Sequence, residues 1–315
     1  MKRFLFCLTL IIFTAGFLSA GGRQEADARC REVRFVEVQW LDIEATTASA
    51  RLVLEGLGYE TTSEVVSVPI AFEALKIGEA DIFLGNWMPT MKSMVGPYLE
   101  SGDIESPQVN LQGAKYTLAV PSYVAEGGIT SFKDIADYAD ELNNRIYGIE
   151  AGNDGNLLIQ QMIDEDAFGL GDFELYESSE AGMLAELNAK TRNDEWMVFL
   201  GWEPHPMNTN FEITYLSDGD DYFGPDYGAA TVHTNVRRGY LDECPNVGQF
   251  VLNLEFTLDM ENEIMTLIDE GSTGEEAAME WFRENPDILS AWLNGVNTVD
   301  GGDGLAAVKD FLGVK

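Results

Sequence analysis

From residue 33 onward the chain alternates short runs rich in β-branched and aromatic residues with helix-length amphipathic stretches. Strand patterns at 33–39, 65–68 and 81–84 are separated by helical patterns at 45–57, stopped by Gly58, and at 70–77, stopped by Gly78. A strand reached through a helix comes back parallel to its neighbour, so the alternation predicts an α/β fold on a parallel sheet. A second set follows, with strands expected at 116–120, 145–149, 173–176 and 197–200 and helices at 132–138, 156–165 and 181–189. Beyond residue 247 the pattern is mostly helical. At roughly 150 residues per domain, 315 residues have room for two α/β lobes and a helical C-terminal wrap.

The start of the chain reads differently. Met1-Lys2-Arg3 is followed by an apolar run to Leu18 and by the small residues Ser19-Ala20, the layout of a secretory signal peptide over residues 1–20. The run is shorter than the ~20 residues of a spanning helix, so an exported, periplasmic protein is expected. Cleavage removes Cys7 and leaves Cys30 and Cys244, an even pair for which a disulfide is the default in an oxidising compartment. A lipid anchor would need a cysteine just after the cut, where Gly21-Gly22 stand instead.

Charge and motif content narrow the function. Acidic residues number 54 against 19 basic, a formal net charge of -35, which repels phosphate backbones and excludes nucleic-acid binding as a main role. By itself the excess reads as a solvated surface. There is no G-x-S-x-G, P-loop, strand-linked G-x-G-x-x-G or H-E-x-x-H. His205 and His233 form no ligand-spaced cluster, so neither a metal nor a cofactor is expected. Carboxylates are too abundant for any pair to argue acid/base catalysis, and no enzyme is expected.

The informative residues are aromatic. Asp81-Ile82-Phe83-Leu84-Gly85-Asn86-Trp87-Met88-Pro89 is echoed by Met197-Val198-Phe199-Leu200-Gly201-Trp202-Glu203-Pro204: an apolar strand running through Phe-Leu-Gly to a Trp and a Pro. Ligands of open α/β sheets bind beyond the carboxyl ends of strands, where Trp87, Trp202 and Trp40 all fall. Trp196, Trp281 and Trp292 read as core. Converging indole faces suit a quaternary ammonium, which has no N–H to donate and is held by cation–π attraction of about 0.5 to 2 kcal/mol per ring. Asp42, at the head of the first helix, serves equally as a cap or a ligand contact. Asn153 in Gly152-Asn153-Asp154-Gly155 reads as a turn or cap residue, and Tyr116 alone reads as packing.

With these stretches, and with Gly113-Ala114-Lys115-Tyr116, Tyr147-Gly148-Ile149-Glu150 and His205-Pro206-Met207-Asn208, the chain resembles the periplasmic substrate-binding proteins of ABC importers for quaternary amines. The likeness runs over about residues 33–297. It implies a two-lobed type II binding protein, with residues 21–114 and 209–315 in the first lobe and 115–208 in the second, closing on the ligand by a hinge. It implies an aromatic box of Trp40, Trp87, Tyr116 and Trp202, polar contacts from Asp42 and Asn153, and the Cys30–Cys244 disulfide. It also implies a monomer that delivers to an inner-membrane permease. Asp42 accepts from a hydroxyl and repels a carboxylate, so choline is the first expected ligand. Glycine betaine and proline betaine, which call for a basic group or a helix N-terminus, are the alternative.

Overall fold

The computed structural model describes residues 29–314; the expected leader over residues 1–20 lies outside them. Strand β1 (Glu32–Glu37) buries Val33, Phe35 and Val36, and helix α1 (Leu41–Gly56) carries the chain across to β2 (Glu60–Val65). Helix α2 (Val68–Ile77), ended by the left-handed Gly78, returns it to β3 (Ile82–Met88). All three strands are parallel, in the order β2-β1-β3. Helix α3 (Lys92–Ser101) then leads to β4 (Ile104–Pro121), 18 residues long.

β4 joins the two lobes. Its first part pairs with β9 (Ala229–Arg237), which also pairs with β3; its second part pairs with β7 (Val198–Glu203) and β8 (Ile213–Tyr215). In the second lobe β5 (Arg145–Tyr147) lies between β6 (Glu174–Tyr176) and β7, all parallel, with α4 (Asp154–Asp164) and α5 (Glu180–Thr191) as crossovers. One continuous sheet results, β2-β1-β3-β9-β4-β7-β5-β6 with β8 beside β4. It is mixed rather than parallel throughout, because β9 runs against both β3 and β4, and β4 against β7.

Two expectations change. The strand expected at 65–68 is β2 at Glu60–Val65, an exposed edge strand of Glu, Thr and Ser, and polar edges hide from a hydrophobicity pattern. β9 was not foreseen, since its buried positions include Thr234 and Asn235 as well as Val232 and Val236. After residue 208 the chain runs beside the end of β4: β8 pairs with Ala119–Pro121 and Phe223 packs on Phe132.

The C-terminal helices α6 (Pro245–Asn253), α7 (Leu258–Asp269), α8 (Gly274–Glu284) and α9 (Gly304–Leu312) complete the first lobe, and α7, α8 and α9 pack on α1. Trp281 and Trp292 lie in this core, Trp292 edge-on to Phe250, Phe256 and Phe282. The Cys30–Cys244 disulfide ties the start of β1 to the start of α6, with a Cα–Cα distance of 5.5 Å. Beside it Asp81 receives Arg34 Nη2 at 2.9 Å and Arg237 Nε at 2.6 Å, and Arg237 continues to Glu243 at 2.8 Å. Burial opposes ionisation of Asp81, but the Arg34 and Arg237 guanidinium groups hold its carboxyl below the usual range.

Candidate functional site

The echoed motifs bring their tryptophans to facing strand ends. Trp87 closes β3 and Trp202 lies near the end of β7; both strands run into a cis X-Pro bond. Trp202 is the direct pairing partner of Tyr116 on β4. The Tyr116 ring centroid lies 5.9 Å from that of Trp87 and 6.2 Å from that of Trp202, each pair edge-to-face. Phe223, which the sequence reading did not single out, backs Tyr116 at 5.9 Å. Trp40 occupies the N-cap position of α1, three residues past β1. The four rings and Asp42, Ile149, Asn153 and Asp154 line one small cavity between the lobes.

Polar groups fix the rings. Trp87 donates its indole N–H to Asp42 Oδ2 at 3.1 Å, and Trp40 donates across the cleft to Glu150 Oε1 at 2.9 Å. Tyr116 donates its hydroxyl to Asn153 Oδ1 at 3.1 Å. Asn153 is also the N-cap of α4, accepting from the backbone N–H of Asn156 at 3.1 Å, so one oxygen both caps the helix and holds the Tyr116 hydroxyl. At Gly155 an added Cβ would collide with the Tyr116 hydroxyl, so only glycine lets the phenol lie against the head of α4. Every candidate residue named from the sequence, Trp40, Asp42, Trp87, Tyr116, Asn153 and Trp202, lies on this one cavity.

The electrostatics are one-sided. Among the described residues no basic side chain lines the cavity. Burial raises Asp42 to about 7, the Glu180 carboxylate adding to the shift against the Trp87 hydrogen bond. Burial likewise raises Asp154 to about 6, and raises Glu150. Behind Asp42, Glu261 on α7 is pushed far up, first by burial and then by Asp42. Asp42 Oδ1 and Asp154 Oδ2 are buried without a hydrogen-bond partner among the described residues. Two helix N-termini do reach the cavity, α1 and α4, but each carries an acid in its first turn, Asp42 and Asp154. A carboxylate coming to those positive ends would meet a carboxylate already there.

Asp154, Glu150, Glu180 and Glu261 were missed. The signal that could have flagged Asp154 is its place beside Asn153 at a helix head after a strand; the others carry no local mark in so acidic a chain. Among the described residues no group of three or more His, Cys, Asp or Glu side chains is arranged to hold a metal ion. Chemically the site is a desolvated set of π faces with carboxylates behind them, an environment that stabilises a cation without donors.

Two α/β lobes joined by long sheet strands, with an aromatic cavity between them, define a substrate-binding protein. The chain matches the substrate binding domain of ABC-type glycine betaine transport systems over residues 31–284, and it belongs to that family. A solved ABC-transporter choline binding protein in complex with choline is 56% identical to it, covers 90% of this chain and 99% of its own, and superposes with a TM-score of 0.89. A choline binding protein in an unliganded semi-closed conformation gives 0.84. Lactococcal OpuAC in its closed form with glycine betaine is 26% identical over 83% of this chain and 98% of its own, with a TM-score of 0.76. Among curated relatives, the glycine betaine/carnitine transport binding protein GbuC of Listeria monocytogenes is 33% identical over 52% of this chain, which spans 54% of that relative.

Proposed function

We propose that this chain captures choline between its lobes and hands it to the inner-membrane permease of an ABC importer, without chemistry of its own. The carrying observation is the cavity lining: four electron-rich rings and two buried carboxylates, with no basic side chain among the described residues. Trp40, Trp87, Tyr116 and Trp202 surround the trimethylammonium group, Asp42 balances its charge, and Asn153 with Asp154 receives the hydroxyl end. The leader pattern of residues 1–20 and the disulfide support a periplasmic address. The similar structure with choline bound supports the ligand, and its likeness exceeds that of the unliganded form.

Glycine betaine is the second reading, favoured by the family's own description and by the ligand of lactococcal OpuAC. Its carboxylate would take the place of the hydroxyl end and meet Asp154, with no basic side chain among the described residues of the lining to receive it, so choline is preferred. Calorimetric titration with choline and then glycine betaine, at low and high salt, tests both. Tight choline binding with weak betaine binding is expected; equal or tighter betaine binding overturns the choline assignment. Choline recovered unchanged after long incubation is the expected result for a binding protein.

A further inference from the structure

Helix α1 presents two site residues, Trp40 and Asp42, from its first turn, yet it has no cap of its own: Trp40 stands at the N-cap and makes no side-chain cap hydrogen bond. The missing acceptor comes from the other lobe. Glu180, at the head of α5 and 8% exposed, accepts the Leu41 backbone N–H on Oε2 at 3.3 Å. Its other oxygen, Oε1, lies 3.1 Å from His205 Nε2. His205 Nδ1 accepts the Met207 backbone N–H at 2.9 Å, so the ring proton is on Nε2 and is donated to Glu180. The same imidazole stands edge-on to Trp202 at 5.0 Å. A path of one ring contact and two hydrogen bonds therefore runs outside the cavity from the Trp202 wall in one lobe, through His205 and Glu180, to the head of α1 in the other.

We infer that Glu180 is a positioning residue that caps α1 across the cleft and thereby couples ligand capture to closure of the lobes. Opening the cleft strips the helix of its cap and points an acid away from its positive end, both unfavourable. Closing restores the cap and sets Trp40 against Glu150, completing the box. Asp42 and Glu180 repel each other across the same gap, so the cap forms at lowest cost when a cation lies between the lobes. Ligand and cap thus support one another.

The inference rests on the choline reading, and the test separates the two. In stopped-flow tryptophan fluorescence with choline as the probe, Glu180→Ala is expected to release choline about fivefold faster, the worth of a helix cap, with association unchanged. Leu41→Pro removes the donor from the other side. Proline is favoured at the first helical position, and Trp40 at φ -117°, ψ 142° already has the conformation a residue before proline prefers. It should accelerate release equally, the double variant should release no faster than either single one, and Glu180→Gln, which keeps one acceptor oxygen, should recover part of the loss. Unchanged release in either single variant, or accelerations that multiply in the double variant, overturn the inference. If the unsubstituted protein binds no choline, the choline reading alone fails, and the same comparison of rates with glycine betaine decides the cap.

Discussion

Asp42 and Asp81 are each 2% exposed and belong to the same lobe, yet they are held in opposite states. Asp81 is clasped by Arg34 and Arg237 and stays below the ordinary carboxylate range; Asp42 faces carboxylates and indoles and is raised to about 7. Burial alone cannot distinguish them, since it pushes both upward. The difference is a cation supplied by the chain in one place and withheld in the other. At Asp81 the charge balance is complete and contributes to folding. At Asp42 it is left incomplete, and on the proposed reading the ligand completes it.

The sharpest break of this comparison is to uncouple the first region from binding. Asp81→Asn leaves Arg34 partly buried without its carboxylate and Arg237 with Glu243 alone, and should cost about 3 kcal/mol of stability, read by denaturant unfolding, while choline affinity stays unchanged. Next in size, Trp87→Ala with Trp202→Ala removes two box walls at about 1 to 2 kcal/mol each. Calorimetry should then show choline binding weakened by two orders of magnitude or so, and retained affinity would sink the box assignment.

Proton linkage gives a third test, because the two aspartates respond to pH with opposite sign. The stability Asp81 contributes is present above its unfolded value and is lost as pH falls through its lowered one. Asp42 contributes most below its unfolded value and loses that contribution as pH rises through about 7. Ligand-free Asp42→Asn protein should therefore melt above the unsubstituted protein at pH 8 and converge with it near pH 4. A cation favours the ionised form, so choline affinity should fall roughly ten- to a hundredfold between pH 8 and pH 5, with proton release visible in buffers of different ionisation enthalpy. In Asp42→Asn that slope should flatten. The smallest effect is expected from Asp154→Asn, a weakening of choline binding by about tenfold or less, with glycine betaine gaining relative to choline in competition titrations.

The aromatic half of the site was legible because an indole is rare and its position relative to a strand is regular: Trp87 and Trp202 recur after the same Phe-Leu-Gly run. The acidic half was not. Among 54 acids nothing local separates Glu180 or Glu261, which are buried by contacts with distant segments, from a solvated neighbour, and Asp154 is marked only by its place after Asn153 at a helix head. Asn153 sits between these cases, since the cap role visible in sequence holds alongside its bond to Tyr116. The fold shows the same division. The α1 and α2 crossovers follow from periodicity and their glycine stops, whereas β2 and β9 depend on which strands neighbour them. β8, three residues long, is defined only by its pairing with β4.

The placement of β9 sets an order of assembly. It lies between β3 and β4, in the middle of the sheet, but comes last of the strands in the chain. A chain made from its N-terminus therefore has every strand of the second lobe in hand while the first lobe still lacks its central one. The second lobe is a contiguous insert that can finish early; the first stays open until Ala229–Arg237 slides between its two waiting neighbours. Only then is Cys244 available to Cys30, sealing a loop of 214 residues around a lobe that is already complete.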